Sequence, residues 1–186
     1  MVSEYNNFLN FWSYYCINTD KSVKTMHMKS TFFLIYLITF SFTKAQELPN
    51  ISLKNIEDKS ISIQELANSD TVKVFSFWAT WCVPCINELD AISEVYEEWQ
   101  EETNVEVIAI STDDSRTKKR VIPLVNGKDW DYEILLDDNQ ELKRALNISV
   151  MPYVIVVKNG EILYQHTGYT PGSEDELYEV IKKHSK

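Results

Sequence analysis

Residues that break regular structure are scarce in this chain of 186 residues, which contains 4 glycines and 5 prolines. A collagen-like or linker-rich architecture requires far more of both, and no segment of the sequence repeats, so these classes are excluded. The three cysteines, at positions 16, 82 and 85, are too few for a fold held together by disulfides. His166 and His184 have no neighbouring ligands at the spacing typical of zinc sites, so we expect no metal.

Positive charge is also scarce, since 18 Lys and Arg residues are outnumbered by 28 Asp and Glu residues and the formal net charge is −10. Binding to nucleic acid has no electrostatic support in such a chain. Hydrophobic residues, by contrast, make up 44% of the sequence and aromatic residues 12%. This content is sufficient for the core of one globular domain.

One apolar run, residues 31–42, lies near the N-terminus. Lys29 precedes it, and small residues follow at Thr43 and Ala45, the −3 and −1 positions of the predicted cut, which is the pattern of a secretory signal peptide. The run is too short for a comfortable membrane span, which needs roughly 20 apolar residues. We therefore predict a signal peptide at residues 26–45 and an exported, periplasmic protein cleaved after about Ala45. The alternative is an anchor formed by an uncleaved N-terminal segment.

Residues 1–25 precede this predicted signal peptide and do not belong to it. Met26 and Met28 would each start a signal of ordinary length, so we interpret residues 1–25 as a mis-assigned start or a disordered upstream segment. The remaining residues, 46–186, are predicted to form one domain. Cys16 lies outside this domain, which then contains only the cysteines at positions 82 and 85.

Cys82 and Cys85 lie where a predicted strand leads into a predicted helix. The strand is indicated by β-favouring apolar residues: Val72, Val74, Phe75 and Phe77. Pro84 fits the first turn of a helix, where its missing N–H has no intrahelical partner. Two cysteines separated by two residues beside such a strand–helix pattern are typical of a redox-active dithiol.

The position of Cys82 at the start of the helix favours its thiolate form, because the N-terminal end of a helix dipole is positive. Only the thiolate attacks a disulfide. Cys85 lies one turn further along and inward, so we expect Cys82 to be the nucleophile and Cys85 to resolve the mixed disulfide. A purely structural Cys82–Cys85 bond is a weak alternative, because it would close too small a loop to stabilise the fold much.

The hydrophobic pattern predicts an α/β fold. Alternating residues at 51–53 and 61–63 predict a short β-hairpin at one edge, followed by a helical turn at 64–67. Further strands are predicted at 71–77, 105–110, 132–136, 153–157 and 161–167, and helices at 82–100, 115–125 and 140–146. Asn159-Gly160 predicts a two-residue hairpin turn, and Ser173 with Glu176 predicts a capping box that starts a last helix. This order fits a central mixed sheet covered by helices.

The string FWATWCVPC, residues 77–85, together with Met151-Pro152 before a strand and a hairpin, resembles the thioredoxin superfamily. The similarity is strongest to its exported, TlpA/ResA-type thiol-disulfide oxidoreductases, and it covers residues 47–186. The resemblance implies a thioredoxin-like three-layer α/β/α fold with a central mixed sheet and an N-terminal β-hairpin extension. It also implies that Cys82 and Cys85 form a redox disulfide.

The resemblance suggests which acids serve the cysteines. Glu88 matches a glutamate that family members hold near the second cysteine, and Asp113 or Asp114 matches a further acid that could relay protons. Thioredoxins carry a buried acid at the position of Ser76, so proton transfer to Cys85 is expected to use Glu88, one of the aspartates, or water. A plain first-turn or surface role for Glu88 is the alternative, because helices favour acids near their start.

Three residues are expected to contact the substrate. The resemblance implies that Pro152 is cis and faces the cysteines, and that the Met151 backbone pairs with an extended segment of the substrate. Trp81 would flank the Cys82 sulfur as an apolar platform. Family members usually have Thr, Val or Ile at position 151, and the flexible thioether of Met151 is expected to alter substrate docking. His166 is expected to be a packed or surface residue.

These features predict a protein disulfide reductase that works through a mixed disulfide. The Val83-Pro84 pair adds no cation beside Cys82, which favours a reductant over a strong oxidant. A reductant in an oxidising compartment needs a membrane thiol electron donor, and haem-free cytochromes in cytochrome c maturation are candidate substrates. We expect disulfide-containing protein substrates, no nucleic acid, no cofactor and a monomer.

Two other functions remain open from the sequence. A peroxiredoxin-like peroxidase on the same fold requires a threonine three residues before the attacking cysteine, and Ala79 holds that position for Cys82. A non-catalytic binding module would use the groove of the same fold to hold a partner. Peroxide consumption separates the peroxidase from a reductase, and the rate of Cys82 alkylation at neutral pH separates the binding module.

Overall fold

The computed structural model describes residues 48–186, so the predicted signal peptide at 26–45 and the segment 1–25 lie outside the described residues. Seven strands of the described part form one mixed sheet in the order β2-β1-β5-β4-β3-β6-β7. The strands are β1 (Ser52–Asn55), β2 (Ser60–Ser62), β3 (Lys73–Trp78), β4 (Glu106–Ser111), β5 (Glu133–Leu136), β6 (Tyr153–Lys158) and β7 (Glu161–Thr167).

Helices cover both faces of this sheet. They are α1 (Ile63–Ala67), α2 (Val83–Thr103), α3 (Val121–Val125), α4 (Glu141–Ala145) and α5 (Ser173–His184), with a short 3-10 helix (Lys118–Arg120) before α3. On one face α2 packs against α5, where the rings of Trp99 and Tyr178 stack at 5.3 Å between centroids. On the other face, α1 and α4 contribute Ile63 and Leu142 to a second core cluster.

Strand β3 lies at the centre of the core, and all six of its residues are buried. Because successive side chains of a strand point to opposite faces, such a strand needs apolar residues on both sides. Phe75 and Phe77 pack with α1 and α4, whereas Val74 and Trp78 pack with α2 and α5. The strand runs parallel to β4 and antiparallel to β6. The predicted three-layer α/β/α arrangement around a mixed sheet is confirmed.

The segment before β5 differs from the prediction of a helix from Ser115. The structure has a turn there, and the α-helix begins only at Val121. Asp114 explains the late start, because its carboxylate accepts hydrogen bonds from the backbone N–H and the guanidinium of Arg116 and so favours the turn. Pro123 falls in the first turn of α3, where N–H groups have no intrahelical partner.

The start of α5 also differs from the prediction. Ser173 is the first helical residue, and the cap is Gly172, whose φ of 95° lies in the left-handed region that favours glycine. The Ser173 hydroxyl instead bonds with the Thr170 hydroxyl at 2.9 Å, and the Glu176 carboxylate accepts a hydrogen bond from Tyr164 at 3.3 Å. The capping-box prediction is wrong because both side chains have other partners.

The hairpin turn at Asn159-Gly160 is confirmed. Both residues have positive φ values, 52° and 79°, as a two-residue turn between twisted strands requires. The turn also docks on the end of α1, since the Asn159 N–H donates to the Ser69 carbonyl and the Gly160 N–H donates to the Ala67 carbonyl. The β6–β7 hairpin is therefore fixed at its tip as well as along its strands.

Asp137 provides a test of how α4 is held. Its buried carboxylate accepts hydrogen bonds from the backbone N–H groups of Leu142, at 3.2 Å, and Lys143, at 2.8 Å. Asp137→Ala leaves these donors without a partner, so we expect the free energy of unfolding to fall by about 2 kcal/mol. Asp138→Ala is the matched control, because it removes only a surface ion pair with Lys118 and should cost less than about 0.5 kcal/mol.

Denaturant unfolding of the two variants measures the difference. Equal losses would contradict the assignment of Asp137 as the residue that anchors α4.

Candidate active site

Strand β3 ends at Trp78, and the chain then turns to begin α2 at Val83. The Cys82 N–H donates to the Ala79 carbonyl at 3.0 Å and closes this turn. Cys82 is the cap residue of α2, with an extended backbone, and Pro84 lies in the first turn of the helix. The predicted strand–helix setting of the cysteines is confirmed.

Cys82 and Cys85 form a disulfide across this first turn, with their Cα atoms 5.3 Å apart. Cys85 is fully buried, whereas Cys82 keeps a small exposed area. After reduction, the positive N-terminal end of α2 favours the thiolate of Cys82. The pair therefore has one slightly exposed cysteine and one fully buried cysteine, an asymmetry that suits stepwise thiol–disulfide exchange.

Glu88 lies one turn after Cys85 and is only 2% exposed. One of its carboxylate oxygens accepts a hydrogen bond from the Ser76 hydroxyl of β3 at 3.1 Å, and the other lies 3.1 Å from Nε2 of His166. A buried charge needs such partners, because water no longer solvates it. Strand β3 has a serine, not an acid, at position 76. Helix α2 instead supplies a buried acid there, because Glu88 contacts Ser76.

His166 is a candidate functional residue that the sequence did not reveal. It lies on β7 opposite Val154 of β6, and its ring is turned toward Glu88 on α2. The expectation of a packed or surface residue missed this pairing because positions 88 and 166 are far apart in the chain. One signal was available in the sequence. Alternate residues of a strand point to the same face, so residues 164 and 166 of the predicted hairpin share a face of the sheet.

The two aspartates after β4 differ in their surroundings. Asp113 is buried and accepts hydrogen bonds from the backbone N–H of Thr80 at 2.8 Å, the Thr80 hydroxyl at 2.7 Å and the Ser111 hydroxyl at 3.0 Å. It therefore ties the loop before Cys82 to the end of β4. Their expected role as a proton relay stays a prediction, because the hydrogen bonds of both aspartates lead to groups other than the cysteines.

Asp114 lies at the surface, where hydrogen bonds from Arg116 hold the pKa of its carboxyl below the usual range. Its side chain is turned to that cation within its own turn.

Apolar side chains lie exposed on either side of Cys82 in the chain and just before Met151-Pro152. Trp81 is 55% exposed and Val83 is 65% exposed, on either side of Cys82 in the chain. Val150 is 56% exposed and precedes Met151-Pro152, whose peptide bond is cis as the resemblance implied. Exposed apolar groups near a reactive sulfur are typical of a surface that binds another chain.

The Met151 side chain is held by Thr112. The Thr112 hydroxyl lies 3.3 Å from the Met151 sulfur and 3.1 Å from the carbonyl of Trp78, at the end of β3. These contacts bring the loop before Pro152 to the end of the strand that leads to the cysteines. The Met151 side chain is therefore more restricted in its conformation than the flexibility of a thioether leads one to expect.

Aromatic residues before β5 fix the position of α2. The Trp130 indole N–H donates to the Asp90 carboxylate at 2.9 Å, and the Tyr132 hydroxyl donates to the Leu89 carbonyl at 2.8 Å. Burial raises the pKa of Tyr132 far above its usual value, so this phenol stays protonated as a donor. Trp130 therefore both packs in the core and fixes the first half of the helix beyond the cysteines.

Within residues 48–186, no group of three or more His, Cys, Asp and Glu side chains is arranged to hold a metal ion. The same residues contain no helix with the length and apolar character that crossing a bilayer requires.

The sequence is similar to known proteins over most of its length. A family model described as the AhpC/TSA family matches residues 45–182. The thiol-disulfide oxidoreductase ResA of Halalkalibacterium halodurans is 28% identical over 155 residues, which cover 82% of this chain and 85% of that protein. The ResA protein of Oceanobacillus iheyensis is 31% identical over 119 residues, which cover 61% of this chain and 59% of that protein.

Solved structures agree with this similarity. The solution structure of an uncharacterized thioredoxin-like protein from Porphyromonas gingivalis has 47% identity and a TM-score of 0.66, covering 74% of this chain and 91% of that chain. The crystal structure of a putative thiol:disulfide interchange protein DsbE from Chlorobium tepidum has 20% identity and a TM-score of 0.67, covering 78% and 100%. The second likeness supports the fold alone. The predicted thioredoxin-like fold is confirmed.

The adjacent aspartates allow a test of the loop before the cysteines. Asp113→Ala removes three hydrogen bonds from this region, so we expect the free energy of unfolding to fall by about 2 kcal/mol. Asp114→Ala is the control and should cost less than about 0.5 kcal/mol, because its ion pair lies at the surface. Denaturant unfolding measures both. Unchanged stability of Asp113→Ala together with a shifted pH profile of thiol exchange would instead favour the relay role.

Proposed function

The chain belongs to the AhpC/TSA family and is a thiol-disulfide oxidoreductase, and we propose that it reduces protein disulfides outside the cytoplasm. The observation that carries the proposal is the arrangement of the pair, with Cys82 at the N-terminus of α2 and Cys85 buried behind it. Exposed apolar side chains beside Cys82 add a surface on which a protein substrate can lie.

The reaction proceeds through a mixed disulfide. The Cys82 thiolate attacks one sulfur of the substrate disulfide, forms a new S–S bond and releases the other substrate sulfur as a thiolate, which takes a proton from water. Cys85 then gives its proton to a base, attacks the Cys82 sulfur and releases the second substrate thiolate. Two electrons pass from the protein dithiol to the substrate, and the protein ends as the Cys82–Cys85 disulfide.

Glu88 is the base that we assign to the second step. Residues three apart on a helix are neighbours, so the Glu88 carboxylate and the Cys85 side chain share one face of α2. The carboxylate is buried and already hydrogen-bonded to Ser76 and His166, which keeps it in place. The shielded thiol of Cys85 has little access to bulk water, so a fixed acceptor of this kind shortens the path of its proton.

Substrate binding is assigned to Trp81, Met151 and Pro152. An extended substrate segment would pair with the backbone of Met151, as an added β-strand does, while Trp81 covers the reacting sulfur. The contacts of Met151 with Thr112 support a preformed edge, because they fix the side chain before a substrate arrives. Such binding depends on backbone and shape more than on the substrate sequence.

The direction of electron flow and the location rest on the sequence. The Val83-Pro84 pair places no cation beside Cys82, which favours a reductant. The signal-peptide pattern of residues 26–45 supports export, and the exported protein needs a membrane thiol donor to return it to the dithiol form. Haem-free cytochromes, whose cysteines must be reduced before haem attachment, are the substrate class that we propose. Ala79 offers a methyl group where the peroxidase alternative needs a hydroxyl.

Trapping in cells tests this function. Cys85→Ser removes the resolving thiol, so mixed disulfides at Cys82 should accumulate, and mass spectrometry of the trapped proteins identifies the substrates. Cys82→Ser is the matched control and should trap nothing. The reverse pattern would contradict the assignment of the nucleophile, and trapping by neither variant would favour the non-catalytic module. Cytosolic proteins among the trapped partners would contradict export.

The reduction potential tests the direction of electron flow. We expect a value below roughly −200 mV, because no neighbouring cation gives the Cys82 thiolate the extra stability that makes a strong oxidant. Equilibration of the purified protein with mixtures of reduced and oxidised glutathione, read by alkylation of free thiols, measures it. A potential near about −120 mV would show an oxidant and would contradict the reductase.

A further inference from the structure

The two hydrogen-bond partners of the Glu88 carboxylate differ in their chemistry. The Ser76 hydroxyl bonds to one carboxylate oxygen, and His166 Nε2 bonds to the other, so the two partners do not compete. Ser76 is fully buried and stays neutral at all ordinary pH values, whereas an imidazole changes its charge near neutral pH. Of these two partners, His166 is the one that can change the charge around Glu88.

His166 also separates Glu88 from an open cleft. The cleft has a volume of about 330 Å³ and lies where β7 ends and α5 begins, lined by Tyr164, His166, Gly168, Tyr169 and Glu176 among others. The His166 side chain is 17% exposed and Glu88 is nearly inaccessible, so the imidazole lies between the buried carboxylate and solvent. The Nδ1 atom of His166 is buried and has no hydrogen-bond partner within residues 48–186.

Within residues 48–186, other titratable groups also lie around the pair. They are Tyr132 before β5, Tyr164 on β7, Tyr169 in the loop after β7, and Glu176 on α5, and Cys85 lies one turn before Glu88 on α2. Each of these is neutral or negative in its two protonation states. A positive charge beside Glu88 must therefore come from His166 among the groups named.

We propose that His166 is a positioning residue that controls the charge of the Glu88 carboxyl group and, through it, the resolving step at Cys85. This inference rests on the proposed function, because it concerns the second half of the exchange reaction. A cationic imidazole favours the ionised carboxylate, which is the form that can accept the Cys85 proton.

Two-phase oxidation by the aromatic disulfide DTNB tests this control. With the reduced full chain carrying Cys16→Ser, Cys82 attacks DTNB and releases one coloured thiolate, and Cys85 then attacks Cys82 and releases the second. The rate of each phase is measured by stopped flow across the pH range. His166→Gln should slow the second phase about tenfold near neutral pH and change its pH profile, because the carboxylate loses a partner that can carry positive charge. The first phase should keep its profile.

His184→Gln is the matched control, because it makes the same substitution at the end of α5, and neither phase should change. His166→Lys restores a cation and should recover part of the second-phase rate, which a loss of packing alone would not allow. A second phase of His166→Gln with the rate and pH profile of the parent chain would overturn the proposal. If His166→Gln does not fold, His166→Asn is tested by the same two criteria.

Coupling to Glu88 separates this inference from the proposed function. In a Glu88→Gln background, His166→Gln should cause no further change in the second phase, because its effect passes through the carboxylate. An undiminished effect in that background would overturn the proposal. The parent chain could show two phases and trapping could succeed while His166→Gln leaves the second phase unchanged. In that case the reductase function stands, and only the role of His166 is refuted. A parent chain without a second phase would refute the resolving role of Cys85 itself.

Discussion

A carboxylate removed from water must be stabilised by its neighbours, and Glu88 meets this constraint with partners from two strands. Ser76 belongs to β3 at the centre of the sheet, and His166 belongs to β7 at its edge. These hydrogen bonds attach the helix that carries the cysteines to both strands at one buried residue. The contact therefore helps to hold the helix that carries the cysteines on the sheet.

The parts of the structure that short stretches of sequence determine could be predicted. Pro84 and the two cysteines specify a helix start within a few residues, and Asn159-Gly160 specifies a turn that few other dipeptides adopt. The apolar run of β3 needs burial on both faces, which implies helices above and below the sheet. The cis bond before Pro152 came from the family resemblance, because composition cannot distinguish it from an ordinary proline.

The contacts that the sequence did not reveal join positions far apart in the chain. His166 pairs with Glu88 across 78 residues, and Asp113 ties down Thr80 across 33 residues. In the local sequence pattern, His166 is an isolated histidine, and Asp113 and Asp114 are equivalent. The capping box at Ser173 failed for the same reason, since Tyr164 from the preceding strand binds Glu176. At Glu176, a hydrogen bond from another element thus occupies the side chain that the predicted cap needed.

The burial of Cys85 one turn behind Cys82 has a consequence for oxidative damage. A peroxide that reaches the site can attack only the outer sulfur, because the inner one has no exposed surface. The sulfenic acid formed on Cys82 would condense with the neighbouring thiol, releasing water and giving the same disulfide that the exchange reaction produces. Overoxidation to the sulfinic acid would require a second peroxide to react with the sulfenic acid before the Cys85 thiol does. The geometry that divides the exchange into two steps thus also returns an oxidised sulfur to the catalytic cycle.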